Sequence, residues 1–306
     1  MKKEGAGGAV APASMADITN GGSKKPRRGA QGGLAEQQMN LEKVIGNTIK
    51  GGASVAVNPV TGDVAYPAGC VVVFYSPKRH RQFQYLSCIN NRPLSCLSFS
   101  QCGRYLAAGE SGRQPSVLVW DVKTGMLQAE LKGHSFSINV VKFSSDGKLL
   151  ASVGSQVDGR LNLWQWRGGA LAGNARVVCE VKGLAFSEDG QSLVTAGSKG
   201  HLKHWAVDAG GLLTGKCKPL KGRRAVVEGG PPMSYDFVDV CFSVTSKGSM
   251  ETYALSSDGF LLFFDAGRVL EKWVNLKSKA VRSVSATDRF VACACANGLV
   301  RMFHPT

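Results

Sequence analysis

The feature that most constrains the fold of this chain is a fourteen-residue motif that occurs three times. Residues 97–110 read LSFSQCGRYLAAGE, residues 141–154 read VKFSSDGKLLASVG, and residues 184–197 read LAFSEDGQSLVTAG. Each copy joins two short apolar runs through a turn that contains glycine, which tolerates the positive φ that tight hairpins require. A unit copied in this way predicts a repeat architecture, in which each sheet packs against a similar neighbour.

Two recurring apolar anchors extend the repeat along the chain, one at the end of each first strand and one in each third strand. The first anchors are Val57, Phe99, Phe143, Phe186, Phe242 and Val284, and the second anchors are Phe74, Trp120, Trp164, Trp205, Phe264 and Phe303. Successive first anchors are 42 to 44 residues apart, except for one interval of 56. A period of about 40 to 45 residues with four short strands per unit is typical of β-propeller blades. The sequence therefore predicts an all-β propeller with six visible blade units.

The second and third units also carry a recognisable dipeptide signature. Trp120-Asp121 closes the second unit and Gly133-His134 precedes the third, and both resemble the signature of WD40 repeats. In the third unit this resemblance implies a structural hydrogen-bond network of His134, Ser152, Asp158 and Trp164. It also implies a ring of seven blades, so we expect residues 41–306 to be a WD40-type propeller truncated at its C-terminus. The alternative is that residues 41–50 supply a missing outer strand and close a ring of six.

A narrower resemblance covers residues 41–306. The stretches AYPAGCVVV, GESGRQPSVLVWDV and LEKWVNLKSKAV are similar to the mitogen-activated protein kinase-binding protein 1 family, which includes a microcephaly-associated WD-repeat relative. The resemblance implies a cytoplasmic scaffold that binds components of kinase-signalling pathways and associates with the cytoskeleton, centrosomes or spindle poles. We therefore expect a non-enzymatic protein-interaction scaffold.

The charge of the chain favours acidic partners. The formal net charge is +15, and residues 1–40, which include GGSKKPRRGAQGG, are too poor in apolar residues to be expected to fold. We predict that they form a disordered basic tail. No apolar run approaches the roughly 20 residues of a membrane span.

Two basic stretches lie within the predicted propeller. The candidate partner contacts in them are Lys78, Arg79, Arg81, Lys216, Lys218, Lys221, Arg223 and Arg224. Either they are solvated loops, or they contact acidic surfaces such as tubulin tails or kinase-pathway proteins. An RNA-associated role in ribosome assembly or RNA processing is an alternative, although no aromatic stacking platform accompanies the lysines.

No catalytic, metal or cofactor site is predicted. Ser152, His134 and Asp158 have the composition of a hydrolase triad, but Ser152 lies in the middle of an apolar strand rather than on an exposed elbow. His201 and His204 are three positions apart, which places them on opposite faces of a strand. The nine cysteines include no CxxC pair and indicate a reducing compartment, where Cys293 and Cys295 serve as core residues.

Overall fold

The computed structural model describes residues 41–49, 52–207, 217–244, 249–278 and 280–304. Within these ranges the chain forms β-strands and two short 3₁₀ helices, Gly52–Ser54 and Trp166–Gly168, with no α-helix. The all-β prediction is confirmed. The predicted tail over residues 1–40 lies outside the described residues, and no described helix is long and apolar enough to span a membrane.

The strands form six sheets that follow one another along the chain, and each sheet is one propeller blade. Blade 1 contains β1 (Ala56–Val57), β2 (Val64–Ala68), β3 (Val71–Ser76) and β4 (Arg81–Ser87). Blade 2 contains β5 (Leu94–Phe99), β6 (Tyr105–Glu110), β7 (Ser116–Asp121) and β8 (Leu127–Lys132). Blade 3 begins with β9 (Ile138–Phe143), β10 (Leu150–Gly154), β11 (Arg160–Gln165) and β12 (Ala170–Arg176).

The remaining blades are less regular. Blade 4 contains β13 (Val181–Phe186), β14 (Ser192–Gly197), β15 (His201–Ala206) and, after the two-residue strand β16 (Lys218–Pro219), its outer strand β17 (Gly222–Arg224). Blade 5 contains β18 (Phe237–Val244), β19 (Met250–Ser256), β20 (Phe260–Phe264) and β21 (Leu270–Asn275). Blade 6 contains β22 (Val281–Ala286), β23 (Val291–Cys295) and β24 (Val300–Phe303).

The strand β16 accounts for part of the one long interval in the repeat. It does not join blade 4 but pairs in parallel with β12 of blade 3, with Gly173 opposite Lys218 and Asn174 opposite Pro219. Leu220 extends this contact by donating its amide to the Asn174 carbonyl at 2.8 Å. The chain therefore returns to the preceding blade before β17 pairs with β15.

The apolar core is divided among the interfaces between successive blades. In blade 3, Val141, Phe143 and Trp164 face the cluster shared with blade 2, whereas Leu161 and Leu163 face the cluster shared with blade 4. Burying a side chain of this size contributes about 1.5–3 kcal/mol. Because both faces of the sheet are apolar, a blade needs a neighbour on each side.

Blade 6 has three strands among the described residues, so β24 is an edge strand there. Val300 and Met302 on this strand are 63% and 61% exposed. Residues 41–49 contain no strand and supply none to blade 6. Thr48 instead donates its amide to the Pro67 carbonyl of blade 1 at 2.9 Å.

Candidate functional site

Blade 3 contains a buried chain of polar side chains. His134, in the loop before β9, places Nδ1 2.7 Å from Asp158 Oδ2 and Nε2 2.7 Å from Ser152 Oγ. Trp164 on β11 donates its indole N–H to the same Ser152 oxygen at 2.8 Å. The four side chains that the sequence analysis grouped therefore lie in one network, with Ser152 rather than His134 as the direct partner of Trp164.

The surroundings of this network suit a structural role. Burial alone would raise the pKa of Asp158, but hydrogen bonds from His134 and the Ser135 amide outweigh burial and lower it. The Ser152 side chain is fully buried, so no substrate could reach its hydroxyl. Gly133 is required beside it, because a Cβ atom there would lie 2.7 Å from the Trp164 ring.

Blade 4 contains a shorter network that the sequence analysis did not find. Thr195 Oγ1 accepts the Trp205 indole N–H at 2.9 Å and lies 2.8 Å from His201 Nε2. Blade 4 lacks the Gly-His signature of blade 3, yet its tryptophan is still hydrogen-bonded. His201 on the third strand of blade 4 takes the place that the loop residue His134 has in blade 3. The spacing of His201 and Trp205 on β15 was the sequence signal that could have indicated this network.

The two histidines of β15 contact different blades, as their spacing suggests. His201 bonds within blade 4, whereas His204 Nε2 lies 3.0 Å from Thr252 Oγ1 of blade 5. Burial, with a smaller contribution from Arg268, lowers the pKa of His204 to about 4. Its Nδ1 atom is buried without a hydrogen-bond partner.

The cysteine pair near the end of the chain lies in the core. Cys293 and Cys295 both lie in the apolar cluster between blades 5 and 6. No group of three or more His, Cys, Asp or Glu side chains that could hold a metal occurs in the described part of the chain.

The first basic stretch forms the turn between β3 and β4 of blade 1. Lys78, Arg79 and Arg81 are all exposed and make no ion pair with a described residue. His80 between them has a φ of 50°, in the left-handed region. The turn and the first residue of β4 therefore present three free cationic groups to solvent.

The second basic stretch divides between two blades. Lys216 lies outside the described residues, and Lys218 lies in β16 beside blade 3. Lys221 precedes the outer strand of blade 4, and Arg223 and Arg224 lie on it, all exposed. Arg224 donates to the Gly200 carbonyl at 3.0 Å. The structure does not bring this stretch together with the turn of blade 1, which lies three blades away in the order of the sheets.

Lys221 and Arg223 instead line a pocket of about 380 Å³, which we name the blade 4–5 cleft. Its cationic groups are Lys221, Arg223 and Arg268, and its apolar groups include Trp205, Phe242 and Met250. His204, Thr252 and Asp265 are its other principal polar side chains. Arg268 was not predicted from the sequence, because this residue lies far along the chain and reaches the cleft through blade stacking.

A second pocket, of about 630 Å³, lies between the loops of blades 2 and 3 and is lined by Asn90, Arg92, Ser116 and Lys132, among others. Its polar groups are already paired. The buried Glu110 accepts hydrogen bonds from Asn90 and from the Ser116 amide, both at 2.8 Å. Lys132 lies 3.2 Å from Glu130, and Arg92 donates to the Gln114 carbonyl at 3.0 Å. This pocket offers a ligand few free charged groups.

Comparison with known proteins agrees with this architecture. The family model for the WD domain, G-beta repeat, matches residues 84–121, 125–165 and 173–206. These matches include every strand of blade 2, the first three strands and part of β12 in blade 3, and the first three strands of blade 4.

Individual relatives cover more of the chain. Mitogen-activated protein kinase-binding protein 1 of Mus musculus is 36% identical over 98% of this chain and 20% of its own length. WD repeat-containing protein 62 of Mus musculus is 35% identical over 88% of this chain and 17% of its own length. Cilia- and flagella-associated protein 52 of Chlamydomonas reinhardtii is 30% identical over 57% of this chain and 29% of its own length. The chain thus spans about one fifth of the length of the first two relatives.

Proposed function

Because this chain is a WD40-repeat protein, homologous to mitogen-activated protein kinase-binding protein 1 and WD repeat-containing protein 62, we propose that it is a non-enzymatic scaffold in a kinase-signalling pathway. A protein-interaction role follows from the family and from the rigid ring of sheets, which fixes loops and outer strands in space. The kinase-pathway assignment adds the identity of the partners to this general role.

The observation that carries the kinase assignment is the 36% identity to a protein named for binding a mitogen-activated protein kinase, over 98% of this chain. A match of this extent includes all six blades. We therefore expect this chain to bind a mitogen-activated protein kinase or a protein that acts with one.

A direct binding measurement tests the kinase proposal. The purified chain is immobilised, and purified mitogen-activated protein kinases and their upstream kinases are passed over it. We expect saturable binding of at least one of them at micromolar concentration, about 8 kcal/mol of binding free energy. Binding no stronger than that of an unrelated WD40 propeller would contradict the proposal.

The exposed cationic groups favour a second candidate function, attachment to the cytoskeleton at microtubules, centrosomes or spindle poles. Lys78, Arg79 and Arg81 are free to meet an acidic surface such as a tubulin tail. Contacts of this kind between exposed charges weaken as salt shortens the screening length. We propose a cytoplasmic location for the protein on the same grounds.

Co-sedimentation with microtubules at two salt concentrations tests the cytoskeletal proposal. We expect the chain to pellet at low salt, and to pellet less at high salt or when the tubulin tails have been removed. A charge-reversed K78E/R79E/R81E variant should remain in the supernatant. Equal pelleting with and without the tails would contradict the proposal, and crosslinking to RNA instead would favour the RNA-associated alternative.

A further inference from the structure

The blade 4–5 cleft carries cationic groups that no described carboxylate neutralises. Lys221, Arg223 and Arg268 all line it, and none makes a salt bridge with a described residue. Asp265 is the only acidic residue among the lining residues, and its carboxylate accepts the Val269 amide at 2.7 Å. The cleft therefore has an excess of two positive charges.

Backbone pairing positions two of the residues that carry these cationic groups, Arg223 and Arg268. Arg223 lies opposite His204 in the pairing of β17 with β15. The turn that carries Arg268 is joined to the same segment of chain, because Val226 donates to the Arg268 carbonyl at 2.9 Å and accepts from Leu270 at 3.0 Å. Charged groups positioned before a ligand arrives bind it at a lower entropic cost.

Arg268 has an unusual backbone conformation. Its φ is 70°, in the left-handed region that residues other than glycine seldom adopt. Its own turn maintains this conformation, because Asp265 donates its amide to the Val269 carbonyl at 3.0 Å and accepts the Arg268 amide at 2.9 Å. These bonds fix the backbone from which the Arg268 side chain extends.

The remaining walls of the cleft restrict what can enter it. Trp205, Phe242 and Met250 form an apolar side, and His204 and Thr252 contribute polar groups at the boundary of the two blades. A volume of about 380 Å³ is at the small end of ligand pockets. It suits a side chain and its neighbours better than the flat surface of a membrane.

The number and type of the cationic groups indicate the charge of the ligand. Arginine donates pairs of parallel hydrogen bonds to carboxylate and phosphate oxygens. One carboxylate has two oxygens and could satisfy one arginine, whereas a phosphate ester offers three oxygens and close to two negative charges. The excess of two positive charges matches the phosphate.

We propose that the blade 4–5 cleft binds a phosphorylated serine or threonine side chain of a partner protein. The phosphate accepts hydrogen bonds from Lys221, Arg223 and Arg268, and the neighbouring peptide residues contact the apolar side of the cleft. This inference depends on the proposed protein-interaction role in one respect only: the phosphorylated side chain is taken to come from a partner protein. Any phosphorylated protein segment could supply that side chain.

Nuclear magnetic resonance of the full chain with labelled histidines tests the proposal. The probe is a mixture of phosphoserine and phosphothreonine peptides with randomised flanking residues, and the matched probe is the same mixture after phosphatase treatment. The chain has five histidines, so the His204 signal can be identified by its loss in a His204→Gln variant. We expect a saturable shift of the His204 signal with the phosphorylated mixture alone.

Substitutions then connect the shift to the cationic groups. Arg223→Ala and Arg268→Ala should each weaken binding about tenfold or more, because each removes a charge-assisted pair of hydrogen bonds. Arg113→Ala and Arg176→Ala are matched controls, since each removes an exposed arginine outside the cleft, and they should change affinity less than about twofold. Thermal denaturation establishes that all four variants are folded.

Several results would overturn the inference. These are the absence of a saturable His204 shift, equal binding of the dephosphorylated mixture, and equal losses in the cleft variants and the controls. Binding to vesicles containing phosphatidylinositol phosphates, without binding to the peptides, would assign the cleft to a membrane. None of these measurements uses a kinase or a microtubule, so their failure is distinguishable from failure of the proposed function.

Discussion

The indole nitrogen of Trp164 and the hydroxyl of Ser152 are joined by a hydrogen bond of 2.8 Å inside blade 3. The same hydroxyl lies 2.7 Å from His134 Nε2, so one oxygen serves two buried partners. If the oxygen is removed, the Trp164 indole N–H loses its acceptor at a position that water cannot reach, whereas His134 Nε2 keeps only the longer contact of 3.3 Å with Asn162 Nδ2.

Ser152→Ala should therefore destabilise the propeller more than loss of an ordinary surface hydroxyl. A buried polar group left without a partner costs about 1–3 kcal/mol, and we expect a loss of about 2 kcal/mol in the free energy of unfolding. Urea denaturation measures it, with the exposed Ser285 as the matched Ser→Ala control. Equal midpoints for the two variants would show that the network contributes nothing.

Thr195→Val should remove the network of blade 4 while conserving the shape of the side chain. Trp205 then loses the acceptor that lies 2.9 Å from its indole nitrogen. We expect hydrogen exchange of this indole N–H to accelerate in Thr195→Val and to remain slow in Thr195→Ser, which retains the hydroxyl. Slow exchange in both variants would mean that packing alone protects the indole.

Asp239 should make stability depend on pH. It lies partly buried on the inner strand of blade 5, where its carboxylate accepts the amides of Val240 at 2.9 Å and Val284 at 3.0 Å. Desolvation raises the pKa of this group from 3.8 to about 6, so the folded state binds its proton more tightly than the unfolded state does. The resulting stabilisation is complete below pH 3.8 and is lost as pH rises through about 6.

Replacement of Asp239 by asparagine isolates this contribution. The free energy of unfolding of Asp239→Asn, relative to the unsubstituted protein, should rise by roughly 2–3 kcal/mol between pH 4 and pH 7. Comparing the two pH values cancels any constant change in hydrogen bonding. A relative stability that stays flat over this interval would show that the carboxylate titrates normally.

The thiols should differ strongly in reactivity. Cys102 and Cys217 are exposed, whereas Cys88, Cys96 and Cys293 are buried. Burial is the largest single influence on Cys102 and opposes its ionisation, but hydrogen bonds from Ser100 and from nearby backbone amides together bring the pKa of this thiol below its usual value. Desolvation raises the pKa of Cys96 to about 12. Brief alkylation of the native protein, read by mass spectrometry, should label Cys102 first; early labelling of Cys96 would contradict this order.

Much of the architecture could be predicted because it depends on repeated local patterns. Phe143 and Trp164 recur at fixed positions in successive units, and the alternation around Trp164 assigns each side chain to one face of a sheet. These features depend on residues close together in sequence. The same holds for the network of His134 and Asp158, whose positions match a known signature.

The features that the sequence did not reveal depend on contacts between distant residues. The pairing of β16 with blade 3 is a parallel contact of two residues, which leaves no periodic pattern. The replacement of a loop histidine by His201 depends on where its imidazole reaches in three dimensions. Arg268 joins Arg223 only because blades 4 and 5 stack, and the arginines are 45 positions apart.

The return of β16 to blade 3 has a mechanical consequence. The connection from β15 to β17 is pinned at Gly173 and Asn174, and the Leu220 amide adds a further bond at the same place. When the chain is pulled from its two ends, blade 4 should therefore unfold only once the hydrogen bonds between β16 and β12 of blade 3 break. We expect force-extension traces to record the two blades giving way in a single step.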